Sequence, residues 1–171
     1  MRDAEREERF TGWARDATPR LLRIGRLLTG DDHAGEDLVQ EVLARIYVRW
    51  NRVDQPDAYA RRALANAVTS RWRRSDRRHE VPRDLAEDDV GADPSHPLTD
   101  VVDRLDLLAA LRALPAGQRA VVVLRHLDGC TEEETADLLD VSIGTVKSQN
   151  ARALSRLRRR PELVQGRDRR G

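Results

Sequence analysis

The sequence has little of several residue types, and each shortage excludes a class of protein. Its single cysteine, Cys130, rules out an internal disulfide framework. No stretch approaches the ~18 consecutive apolar residues of a membrane span, and the acidic start MRDAEREERF lacks the apolar region of a secretory signal. Aromatic residues make up only 4% of the chain and charged residues 36%, which favours small helical bundles over one thick core. The sequence therefore predicts a cytoplasmic protein without membrane insertion.

Residues suited to catalysis are equally sparse. The chain has no glycine-rich phosphate loop. His126 and Cys130 are four residues apart, as metal ligands on a helix can be, but no second pair completes a zinc site. The other histidines are scattered and have no paired nucleophile. We expect no enzymatic activity, no cofactor and no metal.

Arginine, in contrast, is abundant, and the ratio of basic to acidic residues changes along the chain. Lys147 is the only lysine among 31 basic residues. Residues 80–100 carry seven acidic residues, one basic residue and three prolines, whereas the segments on either side are mildly basic. Such a strip is typical of a flexible linker. The sequence therefore predicts an all-α fold, with two small helical domains at 1–79 and 101–160, an acidic linker at 80–100 and a short tail at 161–171.

Three helices are predicted in the N-terminal domain. The first begins near Pro19, which suits a first-turn position with Thr18 as its cap, and it ends at Gly30. The second has an apolar face and, on its other side, the polar group Asp37, Gln40 and Glu41. The third has a narrow apolar stripe and a separate polar stripe. That polar stripe comprises Tyr59, Arg62, Asn66, Thr69, Ser70 and Arg73.

A helix-turn-helix is predicted in the C-terminal domain. Thr131 and Glu134 have the spacing of a capping box at the start of a short helix. After a turn at 140–142, a longer helix runs to about Arg160. At ~100° per residue, Asn150 falls on the apolar face of this helix, and we expect it to bond to the backbone at the edge of that face. The residues expected to pack on the preceding helices are Ile143, Val146, Ala153, Leu154 and Leu157.

The opposite face of this last helix has the composition of a helix that binds in a DNA groove. Between positions 141 and 160 the chain carries six cations and no acid. Cations and hydroxyls reach phosphates and base edges, and small residues permit close approach. The face, with Lys147 at its flank, comprises Gly144, Ser148, Ala151, Arg152, Ser155 and Arg159. From this pattern alone, an ordinary four-helix bundle with a solvated arginine face is the alternative.

The order of these motifs resembles a known family. The segments GEDLVQEVLARIYVRW and PDAYARRALANAVTSRWRR, the acidic linker, and LRALPAGQRAVVVLRHLDGCTEEETADLLDVSIGTVKSQNARALSRLR follow one another along the chain. They are similar to the group IV, extracytoplasmic-function (ECF) sigma factors of bacterial RNA polymerase, in the actinobacterial branch that has two sigma domains. The resemblance covers about residues 10–160. It implies a promoter-specificity subunit that binds core RNA polymerase and directs transcription initiation.

The resemblance also implies three sets of site residues. In the family, the DLVQE helix binds the β′ clamp helices, which falls here on Asp37, Leu38, Gln40 and Glu41. The next helix opens the −10 element and captures a base, and its matching residue is Asn66. The residues expected beside Asn66 are Arg62, Arg73 and Arg74 at phosphates, and Tyr59 or Trp72 stacked on bases, although Trp72 suits the core equally well. The last helix reads the −35 element with Lys147, Ser148 and Arg152, flanked by Thr145 and Ser155.

The implied partners are core RNA polymerase, through its β′ clamp helices and β flap, and promoter DNA. Many relatives also bind an anti-sigma factor between their two domains. Two other classes stay open from the residues. One is a helix-turn-helix regulator that binds an operator as a dimer, at palindromic half-sites about one helical turn apart. The other is an interaction protein that acts as a decoy for polymerase or for an anti-sigma factor.

Overall fold

The protein consists of two helical units. The computed structural model describes residues 2–78 and 104–159, and every regular element there is helical, which confirms the all-α fold class. The predicted linker at 80–100 and tail at 161–171 lie outside these residues. The N-terminal unit comprises α1 (Arg2–Thr29), α2 (Asp32–Arg49), a 3₁₀ turn (Trp50–Arg52) and α3 (Pro56–Arg78). The C-terminal unit comprises α4 (Arg104–Arg112), α5 (Ala116–Val122), a π-helical turn (Val123–Leu127), α6 (Glu132–Leu139) and α7 (Ile143–Arg158).

The first helix is longer than the sequence suggested, and its predicted start near Pro19 is wrong. Pro19 lies inside α1, which has 28 residues. Thr18 caps no helix, because its hydroxyl donates to the carbonyl four residues earlier in the same helix. The additional turns are held by aromatic packing on the end of α2. The rings of Phe10 and Trp13 lie 5.4 and 5.5 Å from that of Trp50. This packing outweighs the backbone hydrogen bond that proline removes.

Two glycines allow α1 and α2 to cross closely. A Cβ on Gly35 would lie 2.6 Å from the backbone N and Cα of Arg26, and one on Gly25 would lie 2.9 Å from Val39 Cγ2. Carbon atoms in ordinary contact are about 3.5–4.0 Å apart. The two backbones therefore approach to a distance that only glycine accommodates.

The turn between α1 and α2 fixes where α2 begins. Gly30 has a φ of 71°, in the left-handed region that commonly ends a helix. Asp31 then caps α2 by accepting a hydrogen bond of 2.7 Å from the backbone N–H of Ala34. That hydrogen bond lowers the pKa of the Asp31 carboxyl, since it stabilises the charged form.

Apolar residues of α1 and α2 form the core of the N-terminal unit. Those that are 8% exposed or less include Leu21, Ile24, Leu27, Leu28, Leu38, Val39, Val42 and Ile46. On α3 the assignment of Thr69 to the exposed polar stripe is wrong. Thr69 is 5% exposed, and its hydroxyl donates to the carbonyl of Ala65 at 2.9 Å. This bond within the helix satisfies the hydroxyl, so the side chain can lie among apolar neighbours.

The helix-turn-helix is confirmed in α6 and α7. Thr131 Oγ1 accepts from the Glu134 N–H at 3.1 Å, and the Glu134 carboxylate accepts from the Thr131 N–H at 2.8 Å, which completes the capping box. Asp140 ends α6 in the left-handed conformation, with a φ of 54°. Ser142 caps α7 by accepting from the Thr145 N–H at 3.0 Å. Local bonds therefore fix both helix ends at the turn.

Two predictions about the inner face of α7 are wrong. Ile143 does not pack with the others, because it stands at the first position of the helix and is 40% exposed. Asn150 is buried, but its partner is a side chain: its Oδ1 lies 2.9 Å from Nε2 of His126. Since His126 belongs to the π-helical turn, this bond ties α7 to the end of α5. The other predicted inward residues, Val146, Ala153, Leu154 and Leu157, are buried.

The two units pack against each other rather than standing apart. Their buried apolar residues form one continuous core, and α1 and α3 contact α4, α5 and α6. Trp72, which the sequence left open between core and DNA, lies against Gly117 of α5.

Across the described ranges, no helix is long and apolar enough to cross a bilayer.

Candidate nucleic-acid interface

The outward face of α7 is a solvent-exposed surface that carries cations and no acid. Lys147, Ser148 and Arg152 are all exposed there, whereas Val146 on the other side is buried. Near the start of the helix, Gly144 leaves open space, since the Cβ position has only Ser142 Oγ within 4 Å, at 3.8 Å. A phosphate or a base edge can therefore approach the N-terminal turn of α7 closely.

The hydroxyl groups of this face differ in their exposure and in the hydrogen bonds that they already form. Thr145 is partly buried, and its Oγ1 lies 2.9 Å from Ser142 Oγ, within the N-cap of the helix. Ser148 is exposed and donates to the Thr145 carbonyl at 3.1 Å. Its oxygen can still accept a hydrogen bond, and the hydroxyl can rotate toward a new acceptor. Ser155 is half-buried farther along the helix. Ser148 is therefore the hydroxyl best placed to meet a base, and Thr145 serves the cap.

The two predicted cations of this face, Lys147 and Arg152, can each bind an anion. Lys147 Nζ lies 3.7 Å from Glu132 Oε2 of α6, and the lysine side chain is 63% exposed. Such an exposed pair is worth ~0–1 kcal/mol, so a phosphate can displace the glutamate. The guanidinium of Arg152 is exposed and has no hydrogen-bond or ion-pair partner among the residues that the structure describes.

A polar cleft lies between α2 and α3 at Asn66. Asn66 is exposed and lines this cleft together with Ser70 and Arg74. The opposite wall consists of Glu41 and Arg45, which form an ion pair along α2. An amide among a hydroxyl and several charged groups can both donate to and accept from a base edge.

Tyr59 and Arg62 line a second cleft at the loop between α2 and α3. Its volume of about 440 Å³ lies within the range of small-molecule sites. The Tyr59 hydroxyl accepts a hydrogen bond of 2.9 Å from Arg49 Nη1, which fixes the ring at the wall of the cleft. Tyr59 and Arg62 therefore line a different cleft from Asn66, although Arg62 lies one helical turn before Asn66 on α3.

The predicted −10 residues near the end of α3 are engaged within the protein. Arg73 Nη2 lies 3.1 Å from Asp140 Oδ2, in the turn of the helix-turn-helix. Arg74 Nε donates to the carbonyl of Ser70 at 3.1 Å, which keeps Arg74 beside the polar cleft. Of these two arginines, only Arg74 lies beside Asn66.

The polar group on α2 is exposed, with one correction. Asp37, Gln40 and Glu41 all face solvent. Leu38, which was expected to contact a partner with them, is 1% exposed and packs in the core. Since a buried side chain cannot touch a partner surface, Leu38 supports this face from behind. The candidate binding surface on α2 therefore consists of Asp37, Gln40 and Glu41.

Comparisons with known proteins assign the family. Family models described as Sigma-70 region 2 and Sigma-70, region 4 match residues 13–78 and 104–157. The chain is 40% identical over 162 residues to the RNA polymerase sigma-E factor of Streptomyces coelicolor, an alignment that covers 91% of this chain and 86% of the relative. It is 31% identical over 152 residues to the ECF RNA polymerase sigma factor SigM of Mycobacterium tuberculosis, covering 81% of this chain and 70% of the relative. The chain belongs to the ECF family of RNA polymerase sigma factors.

A solved structure is similar to this sigma factor over nearly its whole length. It is the sigma factor RpoE of Bartonella quintana, which was crystallised with the anti-sigma factor NepR. The similarity has a TM-score of 0.64 at 26% identity and covers 92% of this chain and 98% of that chain. The helical architecture is therefore that of a sigma factor.

Sequence reasoning missed four arginines that line the clefts of this sigma factor. Arg45 and Arg71 belong to the cleft at Asn66, and Arg49 and Arg52 belong to the cleft at Tyr59. A signal was present, because positions 45, 49 and 52 recur at the spacing of one helix face. It went unnoticed because arginine is common throughout the chain.

The remaining reactive groups of the described residues do not form a metal site. Within the described part of this sigma factor, no group of three or more His, Cys, Asp or Glu residues could hold a metal ion. Cys130 is buried, and burial raises the pKa of its thiol to about 11. The thiol therefore stays protonated at neutral pH, as in an ordinary core cysteine.

Proposed function

We propose that this sigma factor binds core RNA polymerase and directs initiation by contacting the −35 element with α7 and the −10 element with α3. The observation that carries the proposal is the outward face of α7, where exposed cations and the exposed hydroxyl of Ser148 lie on a helix whose start is fixed by the turn. The polymerase supplies the catalysis, and the protein itself needs no cofactor. Because promoters and polymerase lie in the cytoplasm, we place its action there.

For the −35 element, we propose readout in the major groove by Lys147, Ser148 and Arg152, with Thr145 and Ser155 at the edges. In a helix-turn-helix, residues near the start of the second helix contact base edges. Arginine and lysine suit guanine O6 and N7, and serine can bond to several bases. Thr145 contributes through the N-cap rather than through a free hydroxyl, since its Oγ1 lies beside Ser142.

For the −10 element, we propose that the two clefts beside α3 bind the opened strand. Asn66 offers an amide to one base edge, with Arg74 at a neighbouring phosphate. Tyr59 and Arg62 offer a second place, where a base can stack against an aromatic ring beside cations. Arg73 joins this surface once it leaves Asp140.

For the polymerase, we propose that Asp37, Gln40 and Glu41 of α2 bind the β′ clamp helices, while the C-terminal unit binds the β flap. An exposed acidic and amide face calls for a basic partner surface. We further propose domains at 1–79 and 101–160. An anti-sigma factor is proposed as a further partner, because the similar RpoE was crystallised with one.

The test is run-off transcription with core polymerase, on promoters first selected from genomic DNA with the wild-type protein. Lys147→Ala and Arg152→Ala should each lower −35-dependent initiation by ~10–100-fold, since one good base contact is worth ~1–3 kcal/mol. Arg23→Ala is the matched control, because Arg23 is an exposed cation on α1 and lines neither of the two clefts. Full activity of the doubly substituted protein would refute the assignment of α7. Tight binding of palindromic duplex DNA by a dimer without polymerase would favour the regulator instead.

A further inference from the structure

The buried face of α7 contains one polar side chain among apolar ones. Asn150 lies between Val146 and Leu154 on this face and is 7% exposed. Burying an amide is costly unless it is hydrogen-bonded. Asn150 Oδ1 lies 2.9 Å from Nε2 of His126, which gives the amide oxygen its partner. At this point of the packing, a contact that depends on direction therefore replaces one that does not.

His126 is held in place by the turn to which it belongs. The π-helical turn Val123–Leu127 follows α5, and just beyond it the Cys130 N–H donates to the Leu124 carbonyl at 2.9 Å. The Arg125 guanidinium donates to the Cys130 carbonyl. Short π turns are rare in helices and are frequent at functional sites. The backbone that presents His126 to α7 is therefore fixed by bonds of its own.

Asn150 lies directly behind the outward face of α7. At ~100° per residue, Ser148 and Arg152 are each turned by about 160° from Asn150 around the helix axis, and both are exposed. Val146 and Leu154 are turned by only about 40° from it, and both are buried. A bond that holds Asn150 inward therefore points Ser148 and Arg152 outward.

A small rotation of α7 about its axis would change what its outward side chains meet. With side chains, a helix has a radius of ~5–6 Å, so a rotation of about 20° moves a side chain by about 2 Å. A hydrogen bond to a base tolerates only about 0.5 Å. Apolar packing alone resists such a rotation weakly, because it is not directional. A buried asparagine is known to fix the register of packed helices in coiled coils.

We propose that His126 and Asn150 are positioning residues, which determine the base selectivity of α7 by fixing its rotation without touching DNA. This inference rests on the proposed function, because it requires that α7 reads the −35 element. Ser148 and Arg152 make the contacts, and the buried pair decides which base pairs they meet. Loss of the pair should change the preferred bases, while phosphate contacts, which carry no sequence information, persist.

The test compares the base preferences of full-length variants in run-off transcription with core polymerase. A pool of promoters randomised at the −35 element gives, at each position, the ratio of initiation with the preferred base to initiation with the others. The main variant is His126→Leu combined with Asn150→Leu, which removes both polar partners and leaves neither group unsatisfied. His126→Ala is a second variant, which removes the same donor from a partly buried position if the two leucines prevent folding.

Two further variants separate the hydrogen bond from the packing. His126→Gln is conservative, because the glutamine amide N–H can donate to Asn150 Oδ1. Leu154→Met is the matched control, since it alters the same buried face by a volume-conserving change and keeps the pair. The ratio itself is independent of stability. A smaller amount of folded protein lowers initiation on every promoter alike and cancels.

We expect the wild type to discriminate by ~10–100-fold at a position that Arg152 reads. In the double leucine variant and in His126→Ala, this ratio should fall by ~5–10-fold, or another base should be preferred, because the displaced side chain loses its base contact. His126→Gln and Leu154→Met should keep the wild-type profile. The salt dependence of binding to non-specific duplex should be the same in all variants, because Lys147 and Arg152 are retained.

Three results would overturn the positioning role. They are a wild-type profile in the variants that lack the pair, an equal loss of selectivity in Leu154→Met, and an equal loss in His126→Gln. Arg152→Ala distinguishes this failure from failure of the proposed function. If Arg152→Ala loses selectivity at one position and the double leucine variant keeps it, α7 is the reader and only the positioning role is wrong. If Arg152→Ala keeps the wild-type profile, both are wrong.

Discussion

Replacing Gly35 by alanine should destabilise the N-terminal unit, because α1 and α2 cross at this residue. The new Cβ would lie 2.6 Å from the backbone N and Cα of Arg26. Since carbon contacts are normally about 3.5–4.0 Å, α2 has to move away from α1 by roughly 1 Å. The crowded atoms belong to the backbone and cannot rotate aside. Overpacking costs ~1–3 kcal/mol or more, and the better helix propensity of alanine returns ~1 kcal/mol. We expect a net loss of about 1–2 kcal/mol.

Gly12→Ala makes the same chemical change without the crossing. Gly12 is exposed in α1, and a Cβ there has nothing within 4 Å. Alanine should therefore stabilise the helix by ~0.5–1 kcal/mol. Urea unfolding followed by circular dichroism measures both free energies. In thermal unfolding, 1 kcal/mol corresponds to ~2–4 °C for a chain of this size, so the two variants should shift the midpoint in opposite directions.

The opposite signs are the critical result. If Gly35→Ala were as stable as Gly12→Ala, the two helices would not cross at the glycine, and the close packing of α1 on α2 would be wrong. The crossing also sets where α2 holds Asp37, Gln40 and Glu41. A refolded but shifted Gly35→Ala protein should therefore bind core polymerase more weakly, while duplex binding by α7 is unaffected.

Three further outcomes concern the C-terminal unit. Burial raises the pKa of the Cys130 thiol from 9.0 to about 11. Near pH 8, Cys130 should therefore react with iodoacetamide roughly 100-fold more slowly in the native protein than in urea. Equal reaction rates would contradict its burial. Thr131→Ala should lower the free energy of unfolding by ~1 kcal/mol, whereas Thr131→Ser should retain it, and equal losses contradict the cap. Asn150→Leu should cost ~1–3 kcal/mol, because it leaves His126 Nε2 without its partner. Adding His126→Leu should recover part of that cost, and simple additivity in urea unfolding contradicts the hydrogen bond.

Features that depend on neighbours within one helix could be predicted from the sequence. The capping box at Thr131, the buried side of α7 and its exposed cations all follow from spacing along a single element. The errors arose where another helix decides the outcome. Pro19 was read as a helix start, but α1 begins before it. The earlier turns of α1 are stabilised by aromatic packing on residues far along the chain, which helical spacing does not reveal. Leu38 was given a surface role by motif matching, although its helical spacing placed it on the apolar face. Thr69 was placed at the surface because spacing alone does not show which side of α3 the other helices cover.

Asn150 shows the same limit within the candidate DNA-binding unit. Its polar side chain lies on an apolar stripe, and the structure explains this position because the π-helical turn places His126 Nε2 2.9 Å from Asn150 Oδ1. Helical periodicity cannot predict this pairing, because His126 lies 24 residues before Asn150 in the sequence. The pairing matters for function, since it fixes the rotation of α7 about its axis, and that rotation decides which residues meet the groove.

The roles of arginine could not be separated by sequence for a related reason. Arg61, Arg112 and Arg119 bind groups of the other unit, whereas Arg152 faces solvent with no partner among the described residues. Salt acts unequally on these two sets. Contacts to phosphates weaken steeply with salt because counterions are released, while a shielded pair such as Arg61 with Asp128 is screened much less. Rising salt should therefore weaken DNA binding by α7 while the contact between Arg61 and Asp128 persists.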